Sequence, residues 1–420
     1  MSTHRNTRRL QLAAAVTVAS AVLLAGCGGS DERGPEGTAA TGPASPSTSA
    51  APTEEPTSTD VLDDNEVTGA EDLGTTPQED VFSVESPWNT LINDAQVAPN
   101  SELLLDNSKF RTLIGFNGET ETQEVTEGVY INTREWTTPV VADGVPTVVT
   151  CRQEKCGDGG DDITLDIPTN INPNPLYDGW FTVFDPDAGI AYDLWRARRE
   201  DDGTISYHFM RTWDLDGRGY SEPYVVSARG SGLPLFGGLI RPGELERCQI
   251  NHALAISVPG PAAHFFIQPA SSTDGNNHDD NSLPEGARIR LRGDFRVEDP
   301  VDPVTGRALP FNADRRKHAD CIVTARQQYG AIVVDRAAVP TLYFQQLPPE
   351  EGRRPLLNGY ELNSLDLEDF VVVDFSDETR YPYPPEDETV DPTLLDFGGD
   401  DAPTTTTTTT TLDDQAEGDS

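Results

Sequence analysis

Lysine is nearly absent from this 420-residue chain: only Lys109, Lys155 and Lys317 occur, and the rest of its 30 basic residues are arginine. Against 71 acids this leaves a formal charge of −41. Nucleic-acid affinity comes mostly from Lys and Arg neutralising phosphate, so no nucleic-acid partner is expected. Charge of this size speaks for solubility rather than for a fold. Aromatic residues are scarce at 7% and hydrophobic residues low at 36%, while Gly and Pro number 36 and 33, so part of the chain is not expected to pack.

The common catalytic signatures are missing too. Gly230-Ser231-Gly232 follows Arg229 and lacks the spacing of a GxSxG elbow, and there is no HExxH, P-loop or strand-linked GxGxxG. No cofactor box is present, so neither a cofactor nor a bound metal is expected. The five cysteines form no CxxC pairs with nearby histidines, which argues against zinc. The Asp-Gly-Asn-Asn-His-Asp-Asp-Asn run at 274–281 and Asp214-Leu-Asp216-Gly217 offer oxygen ligands. Neither completes a calcium loop, and both read as solvated turns.

What is there begins with an address. Arg5, Arg8 and Arg9 precede an apolar stretch from Leu10 to Leu24, too short to span a bilayer comfortably, and small residues follow. Leu24-Ala25-Gly26-Cys27 resembles the lipobox of bacterial lipoproteins, in which the cysteine becomes the lipid-carrying first residue of the mature protein. Residues 1–27 are therefore expected to be a lipoprotein signal peptide, with Cys27 the lipidation site. The expected location is the extracytoplasmic face of the cell membrane, with the membrane itself a partner through the lipid. With Cys27 set aside, Cys151, Cys156, Cys248 and Cys321 remain, an even number suited to an oxidising compartment. Cys151 with Cys156 and Cys248 with Cys321 are the expected disulfides.

Residues 28–80 are Gly, Pro, Ser, Thr, Ala and acid, a composition that buries too little apolar surface to offset ordering. They read as a disordered tether, whose contour length is on the order of 150 Å. Residues 376–420, acidic and Pro-rich with threonine at every position from 404 to 411, read as a disordered tail. Between them, 81–375 shows no linker-like break and no repeat, and is expected to be one domain.

Aromatic and β-branched runs at 180–184, 190–197 and 204–213, separated by Asp-Pro-Asp-Ala-Gly and Glu-Asp-Asp-Gly, predict a three-stranded antiparallel meander. Many further short strands and one helix at 313–328 make a mostly-β domain, an antiparallel β-sandwich or jelly roll with a few short helices, the expected architecture.

The register of the meander decides which polar groups meet. A two-residue turn at Asp202-Gly203 puts Asp193, Trp195, His208 and Met210 on one face, and Tyr192, Leu194, Tyr207, Phe209 and Trp213 on the other. The first face then presents a carboxylate, an indole and an imidazole, suited to sugar stacking with acid/base work. The competing account is an exposed carboxylate beside a packing tryptophan, and a one-residue slip reverses the assignment. His252 falls on the face of Leu254, Ile256 and Val258, either as a catalyst or as a hydrogen-bonded core residue. Arg288, Arg290 and Arg292 line one strand face, to hold uronate carboxylates or to pair with the domain's own acids.

Six segments carry a resemblance: Pro87-Trp88-Asn89, Tyr192-Asp193-Leu194-Trp195, Ser231-Gly-Leu-Pro-Leu-Phe-Gly-Gly-Leu-Ile240, Ile250-Asn-His252-Ala-Leu254, Leu283-Pro-Glu-Gly-Ala-Arg-Ile-Arg-Leu291 and Tyr329-Gly-Ala-Ile332. In this order they resemble an uncharacterised family of secreted β-rich proteins common in actinobacteria, over most of 85–375. The resemblance implies one domain, secretion and association with carbohydrate, but no activity. Asp193 and His252 fall within its pattern; His208, His264 and the Cys248 position do not.

Two functions are thus expected in competition. One is a tethered glycoside hydrolase or polysaccharide lyase using Asp193 and His252, with Trp195 and His208 binding substrate. The other is a non-enzymatic envelope-binding or structural lipoprotein. Polysaccharide or cell wall is the expected partner in both.

Overall fold

The structure is a computed structural model that describes residues 81–385 apart from 115–118, 303 and 348–355. All of these fall in one structural unit. Cys27, the apolar stretch, the 28–80 segment and the threonine run lie outside the described residues.

The fold is mostly β, and the alternation of side chains along its central strands explains the layering. Leu254–Val258 is buried on both faces. Leu254, Ile256 and Val258 enter one core, whereas Ala255 enters another. Ala331–Arg336 divides in the same way, with Ala331 and Val333 on one side and Ile332 and Val334 on the other. These two strands lie at the centre of a six-stranded sheet ordered Phe370–Val372, Arg288–Leu291, Ala331–Arg336, Leu254–Val258, Thr341–Tyr343, Tyr130–Asn132. Helix Ala313–Gln328 covers the first face through Ala319, Ile322, Val323 and Ala325.

The second face packs on a four-stranded sheet ordered Phe209–Asp214, Ile190–Trp195, Phe181–Asp185, Val140–Val141. Trp88, Phe184, Ala191, Trp213 and Phe236 fill the space between them. The far side of that sheet, with Phe181, Val183, Leu194 and Met210, packs on another four-stranded sheet through Val149, Leu165, Ile205 and Tyr207. That sheet is ordered Ile163–Ile167, Val145–Cys151, Ile205–Tyr207, Arg198–Arg199.

Sheets therefore stack face to face as expected, but they are mixed rather than purely antiparallel. Leu254–Val258 runs parallel to Ala331–Arg336, and Thr341–Tyr343 runs parallel to Tyr130–Asn132. The central pair is parallel because strand Arg288–Leu291, antiparallel to Ala331–Arg336, carries the chain back along the sheet before helix Ala313–Gln328 leads into Ala331–Arg336.

The helix has its expected bounds, and its Asn312 cap accepts from the Arg315 amide at 2.9 Å. Among the described residues no helix is long and apolar enough to cross a membrane. Both cysteine pairs form as expected: Cys151 with Cys156 and Cys248 with Cys321, the latter joining the end of helix Pro242–Arg247 to helix Ala313–Gln328.

Three expectations change. Strands Phe181–Asp185, Ile190–Trp195 and Phe209–Asp214 do pair antiparallel in sequence, but the meander is interrupted. Arg196, at φ 51°, breaks the strand after Trp195, and Arg198–Arg199 and Ile205–Tyr207 leave as a hairpin for the neighbouring sheet. Its loop closes with the Glu200 amide on the Thr204 carbonyl at 2.8 Å, so it holds three residues, with Gly203 at φ 89°. One residue more than a two-residue turn flips every face. Phe209, Arg211 and Trp213 lie opposite Trp195, Asp193 and Ala191, so His208 and Met210 do not share the face of Asp193.

The second change is at the C-terminal boundary. The chain beyond residue 375 still belongs to the domain: Tyr381–Pro382 pairs antiparallel with Phe265–Phe266. Tyr381 stacks on Phe266 at 5.4 Å and Arg380 lies over Phe265 at 4.8 Å, an anchoring that composition alone obscures. Third, the arginine row is tied to backbone rather than paired with acids among the described residues. Arg288, Arg290 and Arg292 donate to the backbone carbonyls of Tyr329, Ile92 and Phe370.

Candidate functional site

Asp193 lies in the core between the six-stranded sheet and the sheet carrying strand Ile190–Trp195, fully buried. Its Oδ1 accepts from Thr182 Oγ1 at 2.5 Å, and its Oδ2 accepts from Trp213 Nε1 at 2.9 Å and the Leu235 amide at 2.7 Å. Burial pushes its pKa up to about 6, against the pull of these donors and of the Arg229 charge. The carboxylate ties strand to strand and strand to the 231–240 loop.

His252 is sealed as well, and it precedes its strand rather than lying on it. Its Nδ1 is 2.9 Å from the Ala253 carbonyl and its Nε2 is 2.8 Å from Glu244 Oε1. Glu244 also accepts from the Arg241 amide at 2.9 Å, at the start of helix Pro242–Arg247. Burial opposes its charge, but His252 and Arg241 hold its pKa below the ordinary value. This is a helix-capping ion network. Asp193 and His252 have no partner in common, so the expected catalytic pair is not assembled.

Trp195 is different. Its ring is partly exposed, meets His208 edge-on at 6.3 Å and carries the Arg196 guanidinium at 4.6 Å. It also hydrogen-bonds Asp178, whose pKa burial raises, Arg196 lowers and the neighbouring Asp274 raises. Asp178 follows the 3-10 turn Pro175–Tyr177 at φ 64°, a left-handed position that turns the chain toward Trp195.

Asp178 leads to the one carboxylate cluster found among the described residues. Oxygens of Asp274, Glu285 and Asp335 lie within 4.8 Å of one another. Asp335 ends the apolar run of strand Ala331–Arg336 and Glu285 precedes strand Arg288–Leu291; both are buried, and Asp274 is about a third exposed. Arg336 Nε donates to Asp274 Oδ2 at 2.9 Å, while the Arg336 amide donates to Asp335 Oδ1 at 2.9 Å. A Cβ on Gly230 would come within 2.4 Å of Asp274 Cγ, so glycine there makes the room. Burial and then the Asp274 charge hold Glu285 and Asp335 well above the ordinary carboxylate range. Arg229 draws Asp335 back and Asp193 with it, and its guanidinium lies over the rings of Trp180 and Tyr343 at 5.4 and 5.0 Å.

Tyr383 feels the charges of Glu285 and Asp274 and also lines a cleft of about 450 Å³ with His264, Phe265, Arg380, Pro382 and Pro384. His264 and His252 are separate, though not as two strands of one hairpin, because Phe265–Phe266 pairs with Tyr381–Pro382.

Sequence reasoning singled out Trp195 and His208, whose rings the structure brings together, but did not connect the three acids of the cluster. Asp274 opens an acidic loop that reads as a solvated turn, and Glu285 and Asp335 follow it by eleven and sixty-one residues. The one local signal was Asp335, an acid closing the apolar run Ala-Ile-Val-Val. No family model, curated protein or solved structure matches the chain.

Proposed function

We propose that the chain is a lipid-anchored extracytoplasmic protein that binds polysaccharide at the surface around Trp195. One observation carries this reading: a partly exposed indole, the guanidiniums of Arg196 and Arg336 and the carboxyls of Asp178 and Asp274 gather there from separate segments. An indole offers a sugar an apolar face, arginine forks match hydroxyls and uronate carboxylates, and acids accept from hydroxyls. The sealing of Asp193 and His252 favours binding over catalysis by that pair. The anchor rests on Cys27 and its preceding segment, and the two disulfides suit an oxidising compartment.

The full chain is expected to be retained on immobilised acidic polysaccharide, and Trp195→Ala to weaken retention at least tenfold with thermal stability little changed. Equal retention by the variant overturns the site. Reducing ends or unsaturated products from any tested glycan replace binding with catalysis.

Cys27→Ala is expected to move the protein from the membrane to the soluble fraction and to abolish labelling by a radioactive fatty acid. Continued labelling of the variant overturns the anchor.

A further inference from the structure

Charge does not balance around the carboxylate cluster. Four carboxyl groups act on one another there, Asp178, Asp274, Glu285 and Asp335, and a fifth, Asp193, joins them through Arg229, which it shares with Asp335. Three guanidiniums, Arg196, Arg229 and Arg336, face them. Two negative charges are left over, which one divalent cation or two protons would neutralise.

The hydrogen bonds say where the excess is concentrated. Asp274 uses Oδ2 for Arg336, and its buried Oδ1 has no donor among the described residues. Glu285 is fully buried, and among the described residues no donor reaches either of its oxygens in good hydrogen-bond geometry, although the Thr273 and Asp274 side chains lie near enough to act on it. A buried carboxylate with no hydrogen bond on either oxygen is costly, and native proteins rarely leave one so without a ligand. Oxygens of three carboxylates thus lie together, with Arg336 holding Asp274 through its side chain and Asp335 through its amide.

We propose that Asp274, Glu285 and Asp335 form a calcium site. An all-oxygen set of hard, charged donors selects calcium or magnesium over zinc or copper. Calcium binds oxygen at about 2.3–2.6 Å in flexible geometry, so oxygens on one ion lie up to about 5 Å apart; magnesium at about 2.0–2.1 Å allows only about 4 Å. The three oxygens all lie within 4.8 Å of one another, inside the reach of a calcium sphere. Gly286, at φ 88°, has its Cα hydrogen against the Ile267 carbonyl, where a Cβ would come within 1.8 Å, and this fixes the backbone beside Glu285. The proposal does not depend on the glycan reading, because calcium binding is measured without glycan.

The test is calorimetric titration of calcium chloride into the full chain after dialysis against EGTA, with thermal unfolding in parallel. One calcium per chain and a rise in Tm of several degrees are expected, with a weaker response to magnesium. Glu285→Gln is expected to lose at least tenfold in affinity and the calcium-dependent rise in Tm. Without calcium this variant should unfold at or above the temperature of the EGTA-treated wild type, because the substitution removes repulsion. That separates a lost ligand from a lost fold. A folded wild type that neither binds calcium nor gains Tm from it overturns the proposal, and so does an equal response to magnesium. If Tm instead rises only on acidification, the cluster holds two protons and the calcium site is refuted.

Discussion

Asp193→Ala is expected to cost the domain about 3–5 kcal/mol at pH 7.5, a large share of the total stability of an ordinary domain. The substitution leaves Trp213 Nε1 and the Leu235 amide without an acceptor in a sealed core and removes the carboxylate that Arg229 faces. Asp193→Asn should be far milder. Its amide oxygen can accept from Trp213 and Leu235, and its NH₂ can donate to Thr182, whose hydroxyl turns from donor to acceptor.

The pair of variants also isolates a pH effect with a defined sign. The pKa of Asp193 is raised to about 6 in the folded protein, against 3.8 as its ordinary value. Its contribution is therefore fully present below about pH 4 and is lost as pH rises through 6, amounting to about 3 kcal/mol. The stability of wild type minus that of Asp193→Asn, from urea titrations between pH 4 and pH 7.5, should fall by that order across the window. A flat difference would show that Asp193 titrates no differently in the folded and unfolded chains. A catalytic Asp193 predicts the reverse pattern: an alanine variant that folds normally and fails in turnover.

The second large effect is expected at Arg229. Its guanidinium donates to the Pro234 and Leu235 carbonyls at 3.2 and 3.4 Å, lies over Trp180 and Tyr343, and offsets both Asp193 and Asp335. Arg229→Met keeps much of the apolar stem but leaves two buried carboxyls without their cation, at an expected cost of about 3–5 kcal/mol at pH 7.5. Without the cation, the folded-state pKa of Asp193 moves further above its unfolded value. The deficit should therefore shrink toward pH 4.5, where the carboxyls take up protons, and grow above pH 6. The double variant Arg229→Met/Asp193→Asn should recover part of the loss, since each change removes the charge that the other strands. Strictly additive costs across the double-mutant cycle would show that the two groups are not coupled.

Local chemistry accounts for what could be read from residues alone. Helix Ala313–Gln328 is legible because Asn312 caps it and a glycine follows it at 330. The disulfide pairs follow from an even cysteine count and one short loop. The register around Asp193 was not legible, because composition does not separate a two-residue turn at Asp202-Gly203 from the three-residue loop that forms, and parity alone decides the face. Tyr381–Pro382 was hidden by its Pro-rich surroundings, since the partners that order it, Phe265 and Phe266, are more than a hundred residues away.

By itself, then, the sequence determined a β-rich domain, its one long helix and its two disulfides, all consequences of short-range pattern and composition. Only the tertiary structure decided that Asp193 and His252 are sealed and that Asp274, Glu285 and Asp335 meet. Burial and proximity depend on how sheets stack across long sequence separations, and that packing made two promising polar residues into core ties and brought together three acids of which only Asp274 stood out as an oxygen ligand in the sequence.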